Sequence, residues 1–151
     1  MIACLMLVYG VKHGQSKRRK IMVAREILLA DRDSEVRRQV ADVFRKEGYQ
    51  VETTDSAVHM FCSVLEKKIP VVLLGSDFDK KINLPDLVRL LKKCNRQLTI
   101  ILVSDEQSLP LVRTIREEGI FYHALKPANR NDTEEIRLAV KCAFKKPEKT
   151  H

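Results

Sequence analysis

The chain has 151 residues, of which 44% are hydrophobic, and a formal net charge of +8. This suits one domain with a single core and excludes a disordered chain. No apolar run approaches the roughly 18 residues that a membrane-spanning helix needs, and the apolar N-terminus precedes its basic run, the reverse of a signal peptide. We therefore expect a cytoplasmic protein without a transmembrane segment.

The basic residues are concentrated at the two ends of the chain. Residues 27–144 hold 19 basic and 18 acidic residues, so the body of the chain is nearly neutral. A basic globular face for nucleic acid is not supported by these counts. The run Lys17–Lys20 is typical of a solvated tail, and binding to phosphates or to an anionic membrane surface is the alternative.

Four cysteines are widely spaced along the chain and form no C-x-x-C pair: Cys4, Cys62, Cys94 and Cys142. Their spacing predicts neither a disulfide framework nor a zinc site. Idle thiols in a reducing compartment are the simplest interpretation.

Short apolar runs alternate with amphipathic segments from Glu26 onward. We predict a basic N-terminal extension over residues 1–25, one domain over 26–146 and a tail over 147–151. The predicted strands cover residues 27–30, 49–53, 71–74, 98–103 and 120–125. The predicted helices begin at Asp33 or Ser34, Ser56, Leu84, Leu109, and Asn131 or Asp132. In the second helix, the predicted buried stripe is Val58, Phe61, Val64 and Leu65.

Five strand–helix units in a row predict an α/β fold. Strands without polar interruption indicate a parallel sheet covered on both faces, and short crossovers then give a doubly wound domain. Function in such sheets lies beyond the carboxyl ends of the strands. The absence of a glycine-rich phosphate loop argues against dinucleotide binding.

The predicted strand ends carry a specific set of polar residues. The first strand ends in Ala30-Asp31-Arg32-Asp33, the third in Leu74-Gly75 and the fourth in Val103-Ser104, and the fifth runs into Lys126-Pro127. Over residues 26–144 this layout resembles the receiver domain of bacterial two-component response regulators. The resemblance implies a flavodoxin-like sheet of five parallel strands in the order 2-1-3-4-5, with five helices. It also implies a cis bond before Pro127.

Matched to that family, the site is degenerate. The family holds Mg²⁺ with two adjacent acids after the first strand and phosphorylates an aspartate at the end of the third. Asp31 fits the first acid, whereas Arg32 stands at the second and Gly75 at the phosphoacceptor. Ser104 and Lys126 fit the two residues that recognise the phosphoryl group. We therefore expect no catalytic residue, no cofactor and no metal, with Asp31 the only candidate ligand.

Several of these residues have alternative roles. Gly75 has an alternative role as a turn glycine, and Asp33 is a candidate helix cap. Lys126 is predicted to form a salt bridge with Asp31. Arg32 and Lys126 together suggest a small anion in the vacated pocket.

The resemblance implies a pseudo-receiver of phosphorelay signalling that is not an enzyme and acts by protein–protein interaction. The family's signalling face lies on helix four, strand five and helix five, which here includes Arg113, Arg116, Tyr122 and His123. The expected partners are a histidine kinase or an effector, or a second copy through this face. No DNA-binding domain is expected in this chain.

Two alternatives belong to other classes. The first is an active receiver that uses Mg²⁺ and accepts the phosphoryl group on Asp77. Asp77 lies two residues beyond Gly75, about 6–7 Å along an extended chain, which in-line transfer tolerates poorly. The second is a tether to nucleic acid or a membrane surface through the basic ends.

Overall fold

The computed structural model describes residues 25–105, 109–128 and 133–145. The strands are β1 (Glu26–Ala30), β2 (Gln50–Thr54), β3 (Val71–Gly75), β4 (Thr99–Ser104) and β5 (Tyr122–Leu125). The helices are α1 (Ser34–Lys46), α2 (Ala57–Cys62, continued by a π-helical turn, Ser63–Lys67), α3 (Leu84–Cys94), α4 (Leu109–Glu118) and α5 (Glu134–Lys145). The N-terminal extension up to residue 24, the tail over 147–151 and the predicted cap at Asn131 or Asp132 lie outside the described residues.

The five strands form one parallel sheet in the order β2-β1-β3-β4-β5. This order confirms the predicted doubly wound fold. Its register pairs Ala30 with Leu74, Gly75 with Val103, and Ser104 with Leu125. The residues that end β1, β3, β4 and β5 therefore lie along one edge of the sheet.

Two apolar layers cover the two faces of the sheet. Alternate strand residues such as Leu29 and Leu73 pack with the buried stripes of α1 and α5. Their neighbours, such as Leu28 and Val72, pack with α2, α3 and α4. This arrangement explains why β3 and β4 are buried at every position, because a central parallel strand meets a helical layer on each side.

The predicted stripe of the second helix is wrong at two positions. Val58 and Leu65 are 73% and 54% exposed, whereas Met60 and Val64 are buried. The π-helical turn from Ser63 shifts the residues that follow it, including Leu65, relative to a regular helical repeat, whereas Val58 precedes this turn and lies on the face opposite the buried Met60. The apolar period of the sequence did not reveal this change of pitch.

The other predicted boundaries differ from the observed ones by one or two residues, which is the usual uncertainty of element ends. Asp33 caps α1 as predicted, with its carboxylate accepting hydrogen bonds from the N–H groups of Glu35 at 2.9 Å and Val36 at 3.3 Å. No helix within the described ranges is long and apolar enough to cross a membrane.

Candidate functional site

The carboxyl edge of the sheet gathers the polar residues predicted from the strand ends. Asp31 follows β1, Gly75 and Ser104 are the last residues of β3 and β4, and Lys126 follows β5. The N–H of Lys126 donates to the carbonyl of Ser104 at 2.8 Å, which fixes the end of β5 against β4. The sequence thus located one polar pocket, but its internal geometry differs from the prediction in several respects.

Asp31 is a buried carboxylate, with 1% of the residue exposed. Its Oδ1 accepts the N–H of Asp33 at 2.8 Å, and its backbone carbonyl accepts a hydrogen bond from Arg37 Nη1 at 2.6 Å. Burial raises the pKa of Asp31, the Asp33 N–H and the charge of Lys126 oppose this rise, and the negative charge of Asp77 adds to it. The group at the centre of the pocket is therefore an acid that resists ionisation.

The predicted salt bridge between Asp31 and Lys126 is wrong: no ion pair joins them in the described part of the chain. Lys126 still acts on Asp31 through its charge, but at longer range. The physical reason is the orientation of the carboxylate, because Oδ1 is held by the Asp33 N–H while Oδ2 faces Gly75. Lys126 itself is half-buried.

Gly75 makes room for Asp31. A Cβ atom built on Gly75 would lie 2.5 Å from Asp31 Oδ2 and 2.9 Å from Asp31 Cγ, both much closer than real contacts. Its φ is not positive, in contrast to Gly48 and Gly119, so conformational freedom is not what selects glycine here. The carboxylate of Asp31 thus fills the space in which a side chain at position 75 would begin.

Arg32 lines a depression that does not include Asp31 or Lys126. It is exposed and lines this depression with Asp55, Phe78, Asp79 and the Lys80–Lys81 pair. The charged groups that act on Asp31 are Lys126, Asp77 and Asp33, and Arg32 is not among them. Lys126 does not line this depression, and the hypothesis of a small anion held jointly by Arg32 and Lys126 stays a prediction.

The loop after β3 is ordered by its own hydrogen bonds. The N–H of Phe78 donates to the carbonyl of Gly75 at 3.1 Å, so the chain turns immediately at Asp77. Asp79 Oδ1 accepts the N–H groups of Lys81 at 2.7 Å and Ile82 at 3.1 Å. Asp77 is exposed, and its charge reaches Asp31.

The residues present do not fit the family's magnesium site. Hard cations require several oxygen ligands, and a cation now stands at the position of the second acid. Among the residues that the structure describes, no three histidine, cysteine or acidic side chains converge to hold a metal ion.

Ser104 and His123 form a contact that the sequence did not reveal. Ser104 Oγ lies 2.6 Å from His123 Nε2 and 2.7 Å from the carbonyl oxygen of Asp105. A hydroxyl has one proton to donate, so with Ser104 donating to Asp105, the His123 Nε2–H donates to Ser104. Burial lowers the pKa of His123, and the charge of Arg116 lowers it further, against the opposing charge of Glu135.

His123 links this pocket to the neighbouring surface of α4, β5 and α5. Glu135 of α5 accepts hydrogen bonds from the hydroxyl of Tyr122 at 2.9 Å and from the N–H of Leu125 at 3.0 Å. Of the four residues predicted for a signalling face, Arg113, Arg116 and Tyr122 are exposed and His123 is half-buried. Leu125 and Leu138 add exposed apolar area that the sequence analysis did not include.

The bond between Lys126 and Pro127 is trans, as no described peptide bond is cis. The cis bond implied by the resemblance is therefore wrong for this chain. The trans preference of a bond before proline is only about 0.5–1 kcal/mol, so the sequence Lys-Pro by itself does not determine the isomer.

The fold and the edge of polar residues define a CheY-like α/β domain. A family model described as "Response regulator receiver domain" matches residues 27–139, and the chain belongs to that family. Receiver domains are signalling modules of phosphorelays that interact with kinases and effectors.

Relatives support this assignment at the level of sequence and fold. Sporulation initiation phosphotransferase F of Bacillus subtilis (strain 168) is 29% identical over 123 residues, which are 80% of this chain and 94% of that protein. A CheY-like receiver domain from Methanospirillum hungatei JF-1 is 20% identical with a TM-score of 0.70, over 82% of this chain and 98% of that one. The solution structure of the beryllofluoride-activated NtrC4 receiver domain dimer is 18% identical with a TM-score of 0.71, over 80% and 96%.

Proposed function

We propose that this chain is a pseudo-receiver that signals by binding a protein partner and does not accept a phosphoryl group. The observation that carries the proposal is the contact between Gly75 and Asp31. The position of the acceptor has no side chain, and the space in front of it is filled by the Asp31 carboxylate. Loss of the second acid to Arg32 removes the charge that would help to hold Mg²⁺.

In this proposal the domain works in the cytoplasm, without enzymatic activity and without a cofactor. Its partner is a signalling protein such as a histidine kinase or an effector. The binding surface is the exposed face of α4, β5 and α5, where Arg113, Arg116 and Tyr122 lie beside the apolar side chains of Leu125 and Leu138. A mixed surface of this kind suits a modest interface with a polar rim.

A covalent modification experiment tests the proposal. The protein is incubated with a small phosphodonor and Mg²⁺ and then measured by intact mass spectrometry, with a receiver that has an intact acceptor treated in parallel. We expect no phosphoryl adduct on this chain, because Asp31 is buried against Gly75 and Asp77 sits beyond the turn. A stoichiometric adduct that disappears in Asp77→Asn would overturn the proposal and identify Asp77 as the acceptor.

A further inference from the structure

A second polar site lies beside the pocket of Asp31 and is formed by different residues. It is a wide depression of about 520 Å³, open to solvent, at the carboxyl edge of the sheet. Its wall comes from the end of β1, the end of β2 and the loop after β3, and its floor includes the buried ring of Phe78. Lys126 and Ser104 do not line it. We call it the basic depression.

Three cations line the basic depression: Arg32, Lys80 and Lys81. Within the described residues, none of the three forms an ion pair with a carboxylate, although Asp55 and Asp79 line the same space. Asp79 uses Oδ1 to hold two N–H groups of its own loop, so part of its acceptor capacity is already engaged. The depression therefore carries excess positive charge on a loop whose backbone is fixed by hydrogen bonds.

This set of donors suits a phosphate group. The guanidinium of arginine binds two oxygens of a phosphate at once, and lysines add compact positive charges without a fixed direction. The anion site proposed here therefore differs from the one suggested by the sequence. Its cations are Arg32 and the two loop lysines, and Lys126 is not one of them.

The openness of the basic depression decides which phosphate it would accept. An enclosed site selects a free ion, whereas a wide, exposed one leaves room for the group to which the phosphate is attached. We propose that the basic depression binds a phosphorylated side chain of a partner protein without chemical reaction. This proposal rests on the proposed function, because a domain that binds a phosphorelay partner without accepting its phosphoryl group leaves that group in place as a ligand.

Nucleic acid is the weaker match for the same charges. Binding along a nucleic-acid backbone uses a track of many cations, and here three cations share one depression with two carboxylates. Among the described residues, α1 and α3 carry basic side chains in their last turns, at the opposite edge of the sheet. Beside the depression, Arg37 and Arg38 of α1 are already engaged, by the carbonyl of Asp31 and by the carboxylate of Glu35 respectively.

A titration followed by NMR tests the proposal. The ¹⁵N-labelled protein is titrated at an ionic strength of about 0.1 M with phenyl phosphate, inorganic phosphate and a single-stranded oligonucleotide. We expect saturable shifts of the amides of residues 32, 80 and 81 with phenyl phosphate, and binding at least as tight as that of inorganic phosphate. The double variant Arg32→Gln/Lys81→Gln should weaken phenyl phosphate binding at least about tenfold, because it removes two charge-assisted contacts.

The matched control is Lys46→Gln/Lys93→Gln, which removes the same charge from two exposed lysines at the opposite edge. Its affinity should stay within about twofold of the parent, since exposed charges beyond about 10 Å are largely screened at moderate salt. Equal losses in both double variants, or no saturable shift, would overturn the proposal. The proposal would also be overturned if inorganic phosphate bound and phenyl phosphate did not, or if the oligonucleotide bound more tightly than phenyl phosphate.

The proposed function and the proposed phosphate site can be refuted independently of each other. A phosphoryl adduct on Asp77 would refute the pseudo-receiver proposal whatever the titration shows. Absence of an adduct together with absence of phenyl phosphate binding would leave the pseudo-receiver proposal standing and remove the basic depression as its recognition site.

Discussion

Asp31 and Gly75 behave as one unit at the scale of single residues. In the family to which this chain belongs, both positions are expected to carry acids, and a metal ion holds such acids together. Here the buried carboxylate of Asp31 occupies the volume next to Gly75, and its Oδ1 accepts a hydrogen bond from the Asp33 N–H. Replacing Gly75 alone therefore does not rebuild the acceptor, because any side chain there meets Asp31 first.

We predict that Gly75→Ala destabilises the protein by about 1–3 kcal/mol, the usual cost of extra volume in a packed site. In an Asp31→Ala background the same substitution should cost much less, because the atoms 2.5 and 2.9 Å away are absent. Urea unfolding of the four proteins gives the coupling free energy directly. Equal costs in the two backgrounds would contradict steric exclusion by Asp31.

The sequence predicted which residues lie at the pocket better than it predicted where their side chains are directed. Asp31, Ser104 and Lys126 were located because the carboxyl ends of parallel strands meet at one edge. That Asp31 faces Gly75, that Arg32 lies beside the loop lysines and that His123 contacts Ser104 depends on side-chain torsions and on neighbours from other parts of the chain. Such directions are properties of the packed structure and have no signature in residue spacing.

At the scale of elements, α2 shows how a regular period can mislead. Val58, Phe61 and Leu65 have the spacing of a buried stripe, yet the helix is anchored by Met60 and Val64. A polar contact contributes to this orientation, because the buried Ser63 hydroxyl donates to Glu52 of β2 at 2.9 Å. Glu52 also accepts from Lys67 at 3.1 Å, so the π-helical turn is tied to the edge strand.

The corrected orientation of α2 leads to a prediction about stability. Met60→Ala should lower the free energy of unfolding by about 2–5 kcal/mol, because it leaves a cavity at a fully buried site. Val58→Ala on the opposite face should change it by no more than about 0.5 kcal/mol. Chemical denaturation of both variants decides between the two faces, and a larger loss for Val58→Ala would restore the orientation predicted from the sequence.

At the scale of the whole molecule, the buried acid imposes a pH dependence on folding. Burial raises the pKa of Asp31 in the folded state, so the folded protein binds more protons than the unfolded chain above the ordinary aspartate pKa of about 3.9. The free energy of unfolding therefore falls as the pH rises from that value through the raised pKa. This is the opposite of the behaviour of a carboxylate stabilised by an ion pair.

We predict that Asp31→Asn gains stability relative to the parent protein as the pH rises through this window. Asparagine keeps an oxygen that accepts the Asp33 N–H, but it carries no charge to be buried. Urea unfolding of both proteins at a series of pH values from about 3.5 to 7 measures the difference. If the free energies of unfolding of the two proteins changed in parallel with pH, ionisation of the buried Asp31 would not destabilise the fold, and the prediction would be contradicted.

The sequence by itself determined the fold, the strand order implied by its family and the place of the polar edge. Apolar runs of strand length, helical periods and cap residues act locally or through topology, so they are visible in one dimension. The tertiary structure decided which groups touch: Asp31 against Gly75, Arg32 beside the loop lysines and Ser104 with His123. These contacts join residues far apart in the chain, and their directions are set by packing and burial, which spacing does not encode.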